Sequence, residues 1–394
     1  MRMERKLKVL IIHNYYQIPG GEDTVVENEK RLLEDHRHEV ILYSRNNSEI
    51  KSFSILQKLL LPVTTVFNLR TYRDVKKIIQ KNKVDIVHVH NTFNLVSPSV
   101  YYAAFSCKVP VVQTIHNFRL LCPGATFYRD GHICEDCVSK GLLCAVKHSC
   151  YRHSKLQTLA CVISTWFHRK IGTFRKLNYI CLTTFNREKL LLLNKLGKKP
   201  LIDPLKIFVK PNFTFEVPVG KTTNEYYLFI GRIEEIKGMD ILLDAFSKMP
   251  ELSLVIAGTG TQVEKYKQVA SKNVSFAGFL NKNDLTTAIK RAKAVIVPSQ
   301  WYETFGMIIA ETYAAHKPVI VGDIGNVSAL IKDYATGLRF KYNSVKDLIS
   351  TVKAFESANT ELWGENAYTI FKQCLSPESN YYQLIKIYKQ VRES

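Results

Sequence analysis

The chain has 394 residues, too many for one compact core, so we expect two domains. Its 46% hydrophobic and 23% charged residues exclude a disordered or fibrous protein. The net charge of +20 is uneven, because residues 1–212 carry 34 Lys and Arg against 16 Asp and Glu, whereas residues 213–394 carry 21 against 19. Such a basic half favours phosphate-bearing ligands, nucleic acid or an anionic membrane, or serves solubility alone.

Nothing in the chain has the composition of a membrane span or of a secretion signal. No run approaches the roughly 18 apolar residues that a span needs, and the charged start Met1–Lys8 is not followed by a signal core that ends in small residues. We therefore expect a cytoplasmic protein whose nine cysteines are reduced.

The first half alternates short apolar runs with stretches of helix length. The first run, Lys8–His13, is stopped by Pro19-Gly20-Gly21, and a helix is predicted from about Glu22 to Leu33. Further buried strands are predicted at Glu39–Tyr43, Val84–Val89 and Val109–Thr114, and the segment Ile207–Asn212 precedes the linker. This alternation predicts a doubly wound parallel sheet.

The second half repeats this architecture after a predicted linker, Phe213–Glu225. Strands are predicted at Tyr226–Ile230, Leu252–Ala257, Val274–Ala277, Ala294–Val297 and Pro318–Val321. The predicted fold class is therefore α/β, with two Rossmann-like domains. We place their limits at residues 1–212, with a Cys-rich, loop-like insertion at 122–161, and at residues 213–376. A final helix within 377–394 is expected to cross back to the first domain.

Ligands of open parallel sheets bind beyond the carboxyl ends of the strands, so candidate residues are sought directly after each run. Gly20-Gly21, His116-Asn117, Gly231-Arg232 and Gly258-Thr259-Gly260 all occupy such positions. Arg232 can bind phosphate oxygens with two parallel hydrogen bonds, and Lys237 adds a second cation. The alternative is that both are ordinary surface residues of a basic protein.

Two carboxylates surround a predicted helix start at Phe305. Glu303 precedes that helix and Glu311 lies within it, so one can accept hydrogen bonds from a sugar and the other from a ribose. Between them the backbone N–H groups of Phe305, Gly306 and Met307 can receive an anion. Alternatively, Glu303 is an N-terminal helix charge and Glu311 a solvated one.

Taken in order, these segments resemble retaining glycosyltransferases of family 4, also described as glycosyl transferases group 1. The resemblance rests on Gly20-Gly21, Pro211-Asn212, Gly231-Arg232 to Lys237-Gly238 and Glu303 to Glu311 around Phe305-Gly306. It covers nearly the whole chain and implies the GT-B fold, in which two Rossmann-like domains face each other across a cleft.

The resemblance also implies roles for single residues. Arg232 and Lys237 would bind the donor diphosphate, Glu303 the sugar and Glu311 the ribose, with Gly258 nearby, while Gly20-Gly21 would close over the phosphates. His116 matches a family His-Asp pair that faces the transferred sugar, but Asn117 departs from it because an amide is not a base. His116, Glu303, Arg232 and Lys237 are the expected catalytic residues, unless His116 is merely a core histidine.

The same resemblance implies retention of configuration and a donor such as a UDP-sugar or GDP-sugar, with no cofactor required for catalysis. The sequence contains no Asp-x-Asp metal motif. The implied acceptor is a glycan or lipid-linked oligosaccharide in cell-surface polysaccharide biosynthesis.

The Cys-rich insertion contains one tight Cys-x2-Cys pair with other cysteines around it. A structural zinc site is predicted from Cys122, Cys134, Cys137, Cys144 and Cys150, although the second tight pair of a strong zinc signature is missing. Reduced, unliganded thiols and redox or iron–sulfur chemistry remain the alternatives.

The segment Leu156–Phe174 mixes apolar residues with Arg169 and Lys170, and Arg175 and Lys176 follow it. This composition fits either a helix on an anionic membrane surface or a core-facing helix. A peripheral location at the inner face of the plasma membrane is therefore expected. A sugar-nucleotide epimerase of the same fold and a basic nucleic-acid-binding protein are the alternative functions, although no nucleic-acid-binding motif is present, so no nucleic acid partner is expected.

Overall fold

The computed structural model describes residues 5–17, 20–197, 199–218 and 223–393. Residues 1–4, Pro19 of the predicted turn and residues 219–222 of the predicted linker lie outside the described residues. The chain divides into two compact units. The first contains the described residues within Met1–Phe127, Cys134–Pro211 and Asn380–Ser394, and the second contains those within Tyr128–Ile133 and Asn212–Ser379.

The first unit is built on a six-stranded sheet whose strands are all parallel, in the order β2-β1-β3-β4-β7-β8. The strands up to the linker are β1 (Lys8–Tyr15), β2 (Glu39–Asn46), β3 (Ile86–Val89), β4 (Val111–Ile115), β5 (Tyr128–Arg129), β6 (His132–Ile133), β7 (Asn178–Cys181) and β8 (Ile207–Val209). The helices are α1 (Gly21–Asp35), α2 (Ile55–Val66), α3 (Leu69–Asn82), α4 (Ser99–Ser106), α5 (Asp136–Ser139), α6 (Leu143–Lys147), α7 (Lys155–Lys170) and α8 (Thr184–Leu191). The antiparallel hairpin β5–β6 belongs to the second unit.

The second unit is built on another parallel sheet of six strands, in the order β11-β10-β9-β12-β13-β14. Its strands are β9 (Tyr226–Ile230), β10 (Leu254–Ala257), β11 (Val274–Gly278), β12 (Ala292–Val297), β13 (Val319–Gly322) and β14 (Gly337–Phe340). The helices that follow the linker are α9 (Met239–Ser247), α10 (Val263–Val269), α11 (Lys282–Arg291), α12 (Met307–Ala314), α13 (Gly325–Ala329), α14 (Val345–Ser357), α15 (Trp363–Ile370) and α16 (Pro377–Glu393). The predicted α/β class with two Rossmann-like sheets is confirmed.

Apolar side chains on both faces of each sheet form the cores. In the second unit, Leu242 and Phe246 of α9 are fully buried against Tyr227 of β9 and Leu348 of α14. Each such side chain stabilises the fold by about 1.5–3 kcal/mol. This burial explains why the strands form uninterrupted apolar runs, which is the pattern that predicted them.

The sequence-based prediction for the Cys-rich segment is wrong in part. Residues 122–161 contain the hairpin β5–β6, the helices α5 and α6 and the first turns of α7, rather than a loop alone. These elements are too short to show periodicity, and they share a small core of Cys137, Leu142, Ala145 and Val162. Strands β7 and β14 were also missed.

From Asn380 onward, α16 groups with the first unit. The Tyr388 hydroxyl lies 2.8 Å from Nδ1 of His88 on β3, and Lys210 donates a hydrogen bond of 2.9 Å to the Asn380 side chain. The Lys210 ammonium also pairs with the Glu29 carboxylate at 2.7 Å, and all of these groups are buried. Because a buried charge without a partner costs several kcal/mol, this network fixes α16 onto the first sheet.

Candidate active site

In the second unit, loops that follow three neighbouring strands pack directly on one another. Gly231, which follows β9, donates its backbone N–H to Ala257 of β10 at 3.0 Å. In the loop after β12, the Gln300 backbone N–H donates a hydrogen bond of 2.9 Å to the Ile236 carbonyl. The segments around Arg232, Gly258 and Glu303 are therefore held together at the carboxyl edge of this sheet.

Two glycines are required for this close packing. At Gly258, whose φ is +140°, an added Cβ would lie 1.9 Å from the Gly231 carbonyl oxygen. At Gly238, whose φ is +80°, it would lie 1.9 Å from the Pro298 carbonyl oxygen. Any other residue at either position would force the strand-end loops apart.

The centre of this edge is an ion pair between Lys237 and Glu303. The ammonium of Lys237 contacts Oε1 of Glu303, which also accepts hydrogen bonds from the Ser299 hydroxyl at 2.8 Å and from the Trp301 indole at 3.0 Å. Burial opposes ionisation of Glu303, but the Lys237 charge and these hydrogen bonds outweigh it and lower the pKa of the carboxyl. Glu303 is therefore held as an oriented carboxylate.

Arg232 lies at the same edge in a more exposed setting. Its guanidinium is 3.2 Å from the Glu234 carboxylate, and about half of its side chain is exposed. An exposed ion pair of this kind contributes little to stability, so the guanidinium can exchange Glu234 for an anionic ligand at little cost.

Helix α12 begins at Met307, two residues later than predicted, with Gly306 as its N-cap at a φ of +87°. The Phe305 side chain is buried, and the backbone N–H groups of the first turn lie at the positive end of the helix. Burial raises the pKa of Glu311 to about 7, with Lys282 as a smaller opposing cause. Glu311 is thus a carboxyl group that changes charge near neutral pH.

The remaining predicted site residues belong to the first unit. Gly20 caps α1 and donates its N–H to the Asp23 side chain at 3.0 Å, and no atom of the described residues beyond its chain neighbours lies within 4 Å of a Cβ added there. Gly21 is the first residue of α1. The structure therefore brings the segments of Arg232, Lys237, Gly258 and Glu303 together and places Gly20, Gly21 and His116 in the other unit.

His116 follows β4 and lies beside a second histidine that the sequence analysis did not select. Its Nε2 is 2.9 Å from Nδ1 of His90, and the two rings stack with their centroids 5.2 Å apart. Burial, with nearby imidazoles and Lys210 as smaller causes, holds the pKa of His116 well below its usual value. His116 is therefore neutral at physiological pH and suited to hydrogen bonding rather than to carrying a charge.

A pocket opens beside His116, entirely within the first unit. Its lining includes His116, Asn117, Arg119, Ser164, Thr165 and His168, the last three from α7. The Asn117 side chain accepts a hydrogen bond from the Arg119 backbone at 3.1 Å. Asn117 thus shapes the loop, which agrees with the expectation that this amide is not a base.

The cysteines of the insertion come partly together. The thiols of Cys122 and Cys137 are hydrogen-bonded, and this bond is the largest cause that lowers the pKa of Cys122, to about 6. Cys144 and Cys150 pack against the same small core as Cys137. In the part of the chain that the structure describes, no three of these sulfur atoms lie within 4.8 Å of one another, so the zinc site, including Cys134, stays a prediction.

Across the same described ranges, Glu29, His88 and His90 form the only trio of potential metal ligands with that spacing. The Lys210 ammonium lies against the Glu29 carboxylate and would repel a cation. We therefore assign this trio to the buried network that fixes α16.

Two sequence models of known families match the chain on separate ranges. Glycosyl transferases group 1 matches residues 212–370, and Glycosyltransferase Family 4 matches residues 19–132. The chain therefore belongs to the glycosyltransferases described as group 1 or family 4. The first range includes the Lys237–Glu303 pair and the second includes the Gly20-Gly21 turn and His116.

Relatives of this glycosyltransferase are distant in sequence. One uncharacterised glycosyltransferase of Methanocaldococcus jannaschii is 23% identical over 98% of this chain and 99% of that protein. Another from the same organism is 26% identical over 66% of this chain, which spans 63% of that relative's length. The solved structure of Anabaena HepE in complex with UDP is 16% identical, with a TM-score of 0.65 over 98% of this chain and 100% of that one. That likeness supports the GT-B fold.

Several side chains of the candidate site were not predicted. Ser299 and Trp301 hold Glu303, and the Asn326 side chain, after β13, donates to the Glu303 carbonyl. His90 follows β3 in the same way that His116 follows β4. The strand-end rule that found His116 would have found His90 and Ser299, whereas the contact of Asn326 depends on tertiary packing.

Proposed function

We propose that this glycosyltransferase acts with retention of configuration, transferring a sugar from a nucleotide-diphosphate donor bound at the Lys237–Glu303 edge. The observation that carries the proposal is the arrangement of this pair, in which a cation and an oriented carboxylate share one strand edge with Arg232 and the start of α12.

In this proposal the donor replaces two ion-pair partners with its own groups. The diphosphate draws the Lys237 ammonium and the Arg232 guanidinium away from Glu303 and Glu234, and it approaches the first-turn N–H groups of α12. Glu303, still held by Ser299 and Trp301, then accepts hydrogen bonds from the sugar hydroxyls. Glu311 accepts from the ribose hydroxyls.

The transfer step breaks the bond between the anomeric carbon and the diphosphate oxygen and forms a bond from that carbon to an acceptor oxygen on the same face. The acceptor proton passes to the departing diphosphate oxygen. Negative charge grows on the diphosphate as the bond breaks, so Arg232 and Lys237 stabilise the transition state more than the bound donor. No protein carboxylate needs to act as the base.

The donor is proposed to be a UDP-sugar, although a GDP-sugar remains open. Support comes from the Anabaena relative of the same fold, which was solved with UDP. We propose that catalysis needs no further cofactor, because the cations at the diphosphate position are side chains of the protein itself.

The acceptor is proposed to be a glycan or a lipid-linked oligosaccharide that enters the pocket of the first unit. This pocket presents neutral His116, the Asn117 amide and the hydroxyls of Ser164 and Thr165, which are groups that bind sugar hydroxyls. Such an acceptor fits a role in cell-surface polysaccharide biosynthesis on the cytoplasmic side of the plasma membrane.

The proposal is tested with a panel of UDP-sugars and GDP-sugars, scored by the rise in melting temperature and by transfer or donor hydrolysis. One donor should stabilise the wild-type protein, and Arg232→Ala should lose this shift and turn over at least about a hundredfold more slowly. Arg291→Ala is the matched control, because Arg291 also pairs with an exposed glutamate, Glu225, in the same unit. Equal losses in both variants, or none in Arg232→Ala, would contradict the proposed donor site.

A further inference from the structure

Among the described residues, the largest concentration of exposed apolar side chains lies on α2 and α7, two helices that pack against each other. On α2 the exposed residues are Ile55, Leu56, Leu59, Leu60 and Val63. On α7 and directly after it they are Leu156, Leu159, Ile163, Trp166, Phe167 and Ile171. We call these eleven residues the α2–α7 face. Ordinary soluble surfaces scatter such residues singly, so a cluster of this size indicates a binding surface.

The spacing shows that each set occupies one side of its helix. On α7 the exposed apolar positions recur at intervals of three and four residues, and the buried positions Cys161, Ser164, Thr165 and His168 occupy the opposite side. Trp166 is 56% exposed and Leu59 is 71% exposed, although neither residue lies at a chain end. The helices are therefore folded in a defined orientation and still present apolar side chains outward.

Hydrogen bonds fix α2 against α7. The His168 ring lies 2.9 Å from the Val66 carbonyl, and the Ser164 hydroxyl donates to the Thr65 carbonyl at 3.4 Å. Both bonds satisfy carbonyl groups at the last turn of α2, which otherwise has few buried side chains. The two apolar surfaces are thus presented together by one rigid pair.

The two chain segments that contain α2 and α7 carry charge of one sign. Between Glu49 and Asp74 the sequence has four Lys or Arg and no acidic residue, and between Asp136 and Glu188 it has nine Lys or Arg and no acidic residue. Lys155, Lys170, Arg175 and Lys176 are exposed at or next to α7. A face that dimerises through apolar contact does not need such one-sided charge, whereas an anionic lipid surface attracts it.

We propose that the α2–α7 face binds the surface of a bilayer that contains anionic lipids. The apolar side chains enter the boundary between head groups and acyl chains, Trp166 lies at the level of the head groups, and the basic side chains contact lipid phosphates. None of the helices within the described ranges has the length and apolarity to cross a bilayer, so the contact is peripheral.

The opposite side of α7 connects this surface to the acceptor pocket. This connection rests on the proposed function. Ser164, Thr165 and His168 line the proposed acceptor pocket, whereas Ile163 and Trp166 face outward from the same turns. A lipid-linked acceptor in the bilayer would then have its sugar close to the pocket. Binding to the bilayer would present this acceptor without its leaving the membrane.

Flotation of the full chain with vesicles tests the proposal. The wild type should float with phosphatidylcholine vesicles that contain phosphatidylglycerol, and binding should weaken with pure phosphatidylcholine or at high salt. Ile163→Ser with Trp166→Ser should reduce partitioning by about tenfold or more, as should Leu56→Ser with Leu59→Ser. Replacing Lys170 with Gln should cost about fivefold.

The matched control is Leu205→Ser with Val269→Ser, which removes exposed apolar side chains outside the face and should float like the wild type. Melting curves show whether each variant is folded, and hydrolysis of the soluble donor shows whether its donor site works. A protein that hydrolyses no donor would therefore contradict the proposed function without affecting the flotation result. Equal flotation of all variants would overturn the proposal. So would a lipid-free dimer that becomes monomeric in the α7 variant while the wild type does not bind vesicles, because the face would then join two copies of the chain.

Discussion

Replacing Lys237 with Met separates the two roles that the structure gives this residue. In the free protein its ammonium neutralises Glu303, and the two side chains are only 18% and 13% exposed. Without it, the Glu303 carboxylate keeps two hydrogen bonds but loses its counter-charge. We expect a loss of about 1–3 kcal/mol in the free energy of unfolding, below the roughly 3–5 kcal/mol of a fully buried pair. This corresponds to a fall in melting temperature of roughly 3–9 °C.

In the donor complex the same substitution removes a cation from the departing diphosphate. Turnover should fall about a hundredfold, equivalent to about 2.7 kcal/mol of transition-state stabilisation. Adding Glu303→Gln to Lys237→Met removes the uncompensated carboxylate. The double variant should therefore recover most of the lost melting temperature while its turnover stays low.

Thermal melting and single-turnover transfer kinetics measure the two effects separately. Lys293→Met is the control, because Lys293 forms a similar pair with Glu356 in the same unit. Turnover of Lys237→Met within a few-fold of the wild type would refute the role of this ammonium at the diphosphate. A double variant that melts no higher than Lys237→Met would refute its role as the counter-charge of Glu303.

Other measurements address the remaining groups. Because burial raises the pKa of Glu311 to about 7, this carboxyl becomes neutral below that pH, so the donor KM should rise as the pH falls through 7, and Glu311→Gln should show a high KM without this dependence. Elemental analysis should find about one zinc per chain, and Cys137→Ser should lower both the zinc content and the melting temperature; metal-free protein with unchanged melting would retire the zinc site. Burial lowers the pKa of His88 to about 4, so the unfolded chain binds a proton that the folded chain does not, and stability should fall as the pH drops from about 6.5 to 4. The fall in unfolding free energy between these pH values should be smaller in His88→Gln. An unchanged fall would contradict the low pKa of His88.

The sequence analysis found most strands because parallel strands are buried on both sides. Their central residues are therefore apolar, as in Val9–Ile12 of β1 and Ala294–Val297 of β12, where all of the side chains are buried. It missed β7, Asn178–Cys181, because that strand contains only four residues and begins with Asn. It also read the Cys-rich segment as a loop, since α5 and α6 have only four and five residues and show no period.

The sequence by itself determined which residues follow the strands, and thereby the candidates Arg232, Lys237, Glu303 and Glu311. The position of each strand along the chain can be predicted from local apolar patterns, and in a parallel sheet all carboxyl ends lie at one edge. The apolar pattern of the strands therefore predicts the edge at which the candidate site lies as well as the fold class.

Only the tertiary structure decided which of these groups meet. Lys237 and Glu303 are 66 residues apart, and their contact follows from the pairing of β9 with β12 and from the close approach of Gly238 to Pro298. Likewise, the composition of Leu156–Phe174, which contains most of α7, predicts a helix but does not say whether its apolar side faces the core. That choice depends on which surfaces the rest of the chain covers, because burial is set by packing between segments far apart in sequence.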